Sequence, residues 1–94
     1  MKNYVIVRSE QAGCFAGFLE SQEEAVITLT EARRLWYWEG AASLSQLATT
    51  GTSKPDACKF PAAVSRESIR NWIEIIDCSP EGQKSIQEVK IWLE

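Results

Sequence analysis

The segment Arg33-Arg34-Leu35-Trp36-Tyr37-Trp38 concentrates the residue types in this chain that could hold a ligand. Guanidinium groups grip phosphate or carboxylate through paired hydrogen bonds. Indole faces stack on planar bases and attract cations. On an extended strand, period-2 geometry places Arg34, Trp36 and Trp38 on one face and Arg33, Leu35 and Tyr37 on the other. One face then offers a phosphate grip beside two stacking platforms. Arg33 or Arg34 would pair a phosphate, and Trp36, Tyr37 or Trp38 would stack a base. Gly40-Ala41-Ala42 follows, and Ser43 opens a short helix. Small residues there would admit an anion to the N–H groups of Ala42 and Ser43. Lys54 and Lys59 would close the site from a loop or a neighbouring subunit. The same aromatic residues have a plainer use, because a small domain fills much of its core with tryptophan. For Trp72 and Trp92 that core reading is the stronger one.

Catalytic chemistry is poorly supplied. The chain has no histidine, so a serine–histidine or cysteine–histidine pair and a histidine metal ligand are unavailable within it. Glu23 and Glu24 are adjacent in a polar turn, which suits a solvated surface better than acid–base work. Cys14, Cys58 and Cys78 show no CxxC spacing, so neither a zinc site nor a redox pair is expected. Three thiols is an odd number, as in chains kept reduced in a cytosol. The sequence therefore points to no catalytic residue, no metal and no cofactor.

The elements that must position the segment come from 94 residues, enough for one small domain over 1–94. Tyr4–Arg8, Cys14–Leu19 and Ala25–Thr30 read as an antiparallel meander, with turns at Gln11-Ala12-Gly13 and Ser21–Glu24. Gly13 and Gly17 leave room for close backbone approach. Arg33–Trp38 reads as a fourth strand. Ser43 and Gln46 have capping-box spacing for a helix that Gly51 would stop. Thr52–Pro61 is a loop. Residues 65–78 fit two patterns: Ile69, Trp72, Ile73 and Ile76 follow helical spacing, yet Trp72–Ile76 is rich in strand formers. A strand over Asn71–Cys78 is preferred. Ser79-Pro80-Glu81 starts a second short helix running to about Ile86, and Val89–Leu93 alternates like a final strand. The fold class is α+β: a mostly antiparallel sheet of five or six strands, with scope to curl into a partial barrel, and two short helices.

The net charge is −3, which argues against binding duplex nucleic acid. The charge is uneven, however. Residues 33–70 carry six basic side chains against three acidic ones, a local +3 that suits a small anionic nucleotide. No apolar run is long enough to cross a membrane, and the apolar run at Tyr4–Val7 is too short for a signal-peptide core.

The stretch Ala32-Arg33-Arg34-Leu35-Trp36-Tyr37-Trp38-Glu39-Gly40-Ala41-Ala42-Ser43-Leu44-Ser45-Gln46-Leu47-Ala48 resembles the hallmark of a family of small proteins from tailed bacteriophages and prophages. The similarity takes in Asn3–Arg8, Gly51–Pro55, Cys58-Lys59-Phe60, Glu74-Ile75-Ile76 and Lys84-Ser85-Ile86. It implies a phage origin and expression in the host cytoplasm. By analogy with phage anti-defence sponges, it suggests a homo-oligomer that sequesters a host nucleotide second messenger, such as a cyclic oligonucleotide or a cyclic ADP-ribose isomer, without chemistry. The alternative is a protein–protein inhibitor of a host factor, anti-CRISPR-like or a host-takeover modulator, because Trp and Arg are frequent interface anchors. The thiols supply a direct check: titration of the unfolded protein should find three free groups, and a triple Cys→Ser variant should keep whatever binding the parent shows.

Overall fold

Four consecutive apolar residues, Tyr4–Val7, are too many for a strand with one wet face. They form β1 (Tyr4–Ser9). In a computed structural model of the chain, which describes residues 2–93, all four are buried. The two terminal residues of the single domain expected over 1–94 lie outside the described residues. Alternate residues of β1 serve two cores. Tyr4 and Ile6 join Leu47, Ala48, Phe60 and Ile86 on the helix side. Val5 and Val7 join Phe15, Ile27, Leu29 and Ile69 on the other face of the sheet.

The meander continues with β2 (Gly13–Gln22) and β3 (Val26–Arg34). Then β4 (Val64–Arg70) pairs with β3, and β5 (Trp72–Asp77) pairs with β1. The fold is α+β, with one sheet in the order β4-β3-β2-β1-β5 and every ladder antiparallel. Its two edge strands are consecutive in the chain, separated by Asn71 alone, at φ 56°. The sheet must therefore curl until its edges meet at that corner. There the Ser9 hydroxyl donates to the Arg70 carbonyl at 2.9 Å. Among the described residues no ladder joins β4 to β5, so the sheet curls without closing into a barrel.

Two short helices, α1 (Leu44–Thr49) and α2 (Pro80–Glu88), cover one face. Ser43 Oγ accepts from Gln46 N at 3.1 Å, and Ser79 Oγ accepts from Gly82 N at 3.0 Å, so both expected N-caps form. None of the described helices is long and apolar enough to cross a membrane.

Two expected strands are absent. Arg33 and Arg34 belong to the end of β3, and the chain then leaves the sheet. Leu35 N donates to Cys14 O at 2.9 Å, and β2 starts one residue earlier, so nothing remains for Trp36–Trp38 to pair with. Tyr37 makes only an isolated bridge to Lys59. At the other end, Val89–Leu93 makes one parallel bridge, Ile91 to Phe60, and no strand. Residues 65–78 hold two strands rather than one. The helical spacing of Ile69, Trp72, Ile73 and Ile76 arises because the turn at Asn71 interrupts a period-2 pattern. β4 escaped the sequence reading because it is a polar edge strand in which Ile69 alone is buried.

A bulge in β3 decides which way the arginines face. Thr30 lies opposite Phe18, but Arg33 lies opposite Ala16, so β3 has one extra residue there. Glu31 takes it up at φ 49°. Without the bulge, the alternation begun by Ile27 and Leu29 would carry Arg33 into their core. With it, Ala32 takes that place and Arg33 turns toward the helices. Gly17 faces the bulge. A Cβ there would sit 2.9 Å from Thr30 O and 3.1 Å from Ala32 Cα, both backbone atoms with little freedom to yield. Gly17→Ala should cost about 1–3 kcal/mol and lower the Tm by roughly 5–15 °C; thermal denaturation followed by circular dichroism checks this.

Candidate functional site

The structure distributes the expected ligand residues over four places. The first is interior. Arg33 is 5% exposed. Its Nε donates to Pro61 O at 2.8 Å, Nη1 to Ile86 O at 2.8 Å and Nη2 to Phe60 O at 2.9 Å. The guanidinium also stands 5.6 Å from the centre of the Phe60 ring. It fastens the end of β3 to the Phe60–Pro61 loop and to α2. Arg33 therefore does not share a site with the tryptophans that follow it.

Around the second place the expected trio does assemble. Arg34, Trp36 and Trp38 line one open cavity of about 240 Å³, with Ala12, Gly13 and Cys14 opposite. They meet because the chain bends away after Leu35, and not because they share a strand face. The Trp36 side chain is 64% exposed. Trp38 is half-buried and packs against the helix-side core. Arg34 is held in place: Nη1 donates to Ala12 O at 2.8 Å, its guanidinium lies 4.5 Å from the Phe15 ring centre, and Nη2 is 3.7 Å from Glu67 Oε2.

Lys59 defines the third place. Its ammonium stands 5.6 Å from the Tyr37 ring centre and 5.7 Å from that of Trp92. Trp92 was expected in a core strand, and no local pattern could reveal a contact spanning 33 residues. The Tyr37 hydroxyl donates to Glu39 Oε2 at 2.6 Å. That hydrogen bond leads in raising its pKa, so it stays a neutral donor at physiological pH.

The fourth place, the start of α1, differs from the expected anion cradle. The Ala42 N–H donates to Gln46 Oε1 at 2.9 Å, and Ser43 Oγ caps Gln46 N. The Gln46 side chain thus occupies the donor reserved for a phosphate, and Ala42 and Ser43 serve the fold. Gly40, at φ 84°, makes room for protein and not for ligand. A Cβ there would lie 2.8 Å from Ser53 N and closer still to Lys54 N. Lys54 is exposed and precedes the 3₁₀ turn Pro55–Ala57. Nothing in the geometry joins it to the tryptophan cavity.

The thiols are free, and burial raises Cys14 above its usual pKa and pushes Cys78 up to about 12. Neither is a thiolate at neutral pH. Among the described residues no three His, Cys, Asp or Glu side chains gather as a metal site.

The geometry defines a class: a small α+β domain whose curled sheet carries arginine–aromatic clusters on its surface. Residues 2–86 match a domain family of unknown function, DUF6948, and the chain belongs to that family. No curated protein and no solved structure matches the chain.

The two adjacent arginines should behave oppositely. Arg33→Ala removes the partner of three carbonyls and should cost about 3–5 kcal/mol. Arg34→Ala loses one carbonyl contact, the cation–π contact with Phe15 and a long, exposed ion pair, and should cost about 1–2 kcal/mol. Urea unfolding of the two variants beside the parent checks the contrast.

Proposed function

We propose that this chain is a phage-encoded, non-catalytic sponge that binds a small anionic nucleotide, a second messenger of host immunity, at the Arg34–Trp36–Trp38 cavity. The observation that carries the reading is the convergence of those three side chains on one cavity, with the Trp36 ring open to solvent. The exposed indole face of Trp36 is open to stacking by a planar base. Arg34 keeps N–H groups beyond its bond to Ala12 O, and these suit a phosphate oxygen. The phage setting rests on the resemblance of the Ala32–Ala48 stretch.

A second reading draws support from a different observation. Tyr37, Ile91 and Leu93 are also exposed, Leu93 at 81%. Apolar exposure of this kind suits a protein partner, either a host factor or a second copy of the chain. In a homo-oligomer, Lys54 would be able to approach a neighbouring subunit's cavity, and Lys59 on leaving the Tyr37 and Trp92 rings.

Native mass spectrometry of protein purified from cells producing immune second messengers should show a retained nucleotide and the subunit number together. In calorimetric titration with that nucleotide, Trp36→Ala should lose about 1–3 kcal/mol of binding and Arg34→Ala about 1.5–3 kcal/mol, with both variants folded. Unchanged affinity in both would remove the cavity from the site. Capture of a macromolecule with no retained nucleotide would favour the second reading.

A further inference from the structure

A buried cation without an acidic partner is rare, because desolvating the charge is costly. Arg33 is such a group. Three of its five N–H groups go to carbonyls, and no carboxylate among the described residues lies within ion-pair distance. It borders a cavity of about 260 Å³ that it shares with Tyr4, Glu31, Gln87, Val89 and Ile91. Tyr4 is 5% exposed, and its hydroxyl makes no hydrogen bond to the described residues. Glu31 and Gln87 are exposed and form the rim, while Tyr4, Arg33 and Val89 are buried and form the floor.

We propose that this cavity is a second binding site, separate from the tryptophan cavity, and that it takes a small aliphatic amino acid as its zwitterion. The ligand's carboxylate would meet the two spare guanidinium N–H groups of Arg33 and the Tyr4 hydroxyl. Its ammonium would face Glu31, and its side chain would lie on Val89 and Ile91. The charge pattern selects this class. A dianion such as phosphate would gain Arg33 but face Glu31 across a small cavity. A zwitterion satisfies both signs at once. Burial raises the Tyr4 pKa well above the usual phenol range despite the opposing pull of Arg33, so the hydroxyl keeps its proton for donation.

Glu31 is the non-glycine residue at φ 49° that takes up the β3 bulge, so the backbone fixes its place on the cavity rim. Glycine would relieve the strain and keep the bulge.

The test is calorimetric titration of the full chain with L-leucine, L-leucinamide, 4-methylpentanoate and inorganic phosphate. Leucine should bind, with the other three at least about tenfold weaker. Tyr4→Phe should weaken leucine binding about tenfold with the Tm kept. Glu31→Gly should abolish leucine binding while raising the Tm by a few degrees. Trp36→Ala should leave leucine binding intact, which separates this site from the nucleotide reading. Absence of leucine binding, tighter binding of phosphate, or leucine binding unaffected by both Tyr4→Phe and Glu31→Gly would overturn the proposal.

Discussion

β1 is buried on both faces, and that constraint organises the molecule. A strand with Tyr4 and Ile6 on one side and Val5 and Val7 on the other has to be covered twice. A chain this short cannot supply a second sheet and a full helical layer. It covers one face by curling the sheet, so that Ile69 of the far edge strand reaches the same core as Val5 and Val7. The other face receives two helices too short to be stable alone. The single-residue passage at Asn71 follows from the same economy. A longer connection between β4 and β5 would let the edges drift apart and open the inner core.

The helix side needs a fastening that the sheet cannot provide. Among the described residues no ladder connects β3 to the Phe60–Pro61 loop or to α2. Arg33 makes that connection, with three hydrogen bonds to carbonyls of the Phe60–Pro61 loop and the Ile86 turn. Carbonyl dipoles can solvate a guanidinium in place of water, and the face of Phe60 adds a cation–π contact. A hydrophobic residue at this position could fill the volume but could not satisfy three carbonyls. The bulge at Glu31 is what delivers Arg33 to them. Local strain in β3 and the docking of α2 are thus parts of one arrangement.

Much of this fold was legible. The apolar run of β1, the meander turns and both N-caps, Ser43 and Ser79, are local signals, and the structure keeps them. What escaped depends on non-local geometry. A bulge needs knowledge of the partner strand, so the faces of Arg33 and Arg34 could not be assigned by counting in twos. β4 hides because its alternation is polar on both sides. The end of β3 at Arg34 depends on where β2 begins. At the site, the grouping of Arg34, Trp36 and Trp38 was anticipated, though from a strand that does not exist. Capping-box spacing predicts the Gln46 side chain at the Ser43 N–H; in the structure it accepts from the Ala42 N–H instead, and so still takes a donor assigned to a phosphate.

The dispersal of the basic residues bears on how any anion is held here. The stretch 33–70 carries a local +3, yet its charges point to different places. Arg33 is interior. Arg34 lies on Phe15, Arg66 pairs with Glu20, and Lys59 rests over Tyr37 and Trp92. No groove of one sign results, so long-range steering and a steep salt dependence are not expected of a ligand bound at the tryptophan cavity. One guanidinium and the aromatic faces around it must do the selecting. Affinity then rests on stacking area and shape, which discriminate planar ligands from polyphosphate better than charge can. On the proposed reading such a surface would favour one small planar ligand, and the net charge of −3 would disfavour bulk nucleic acid.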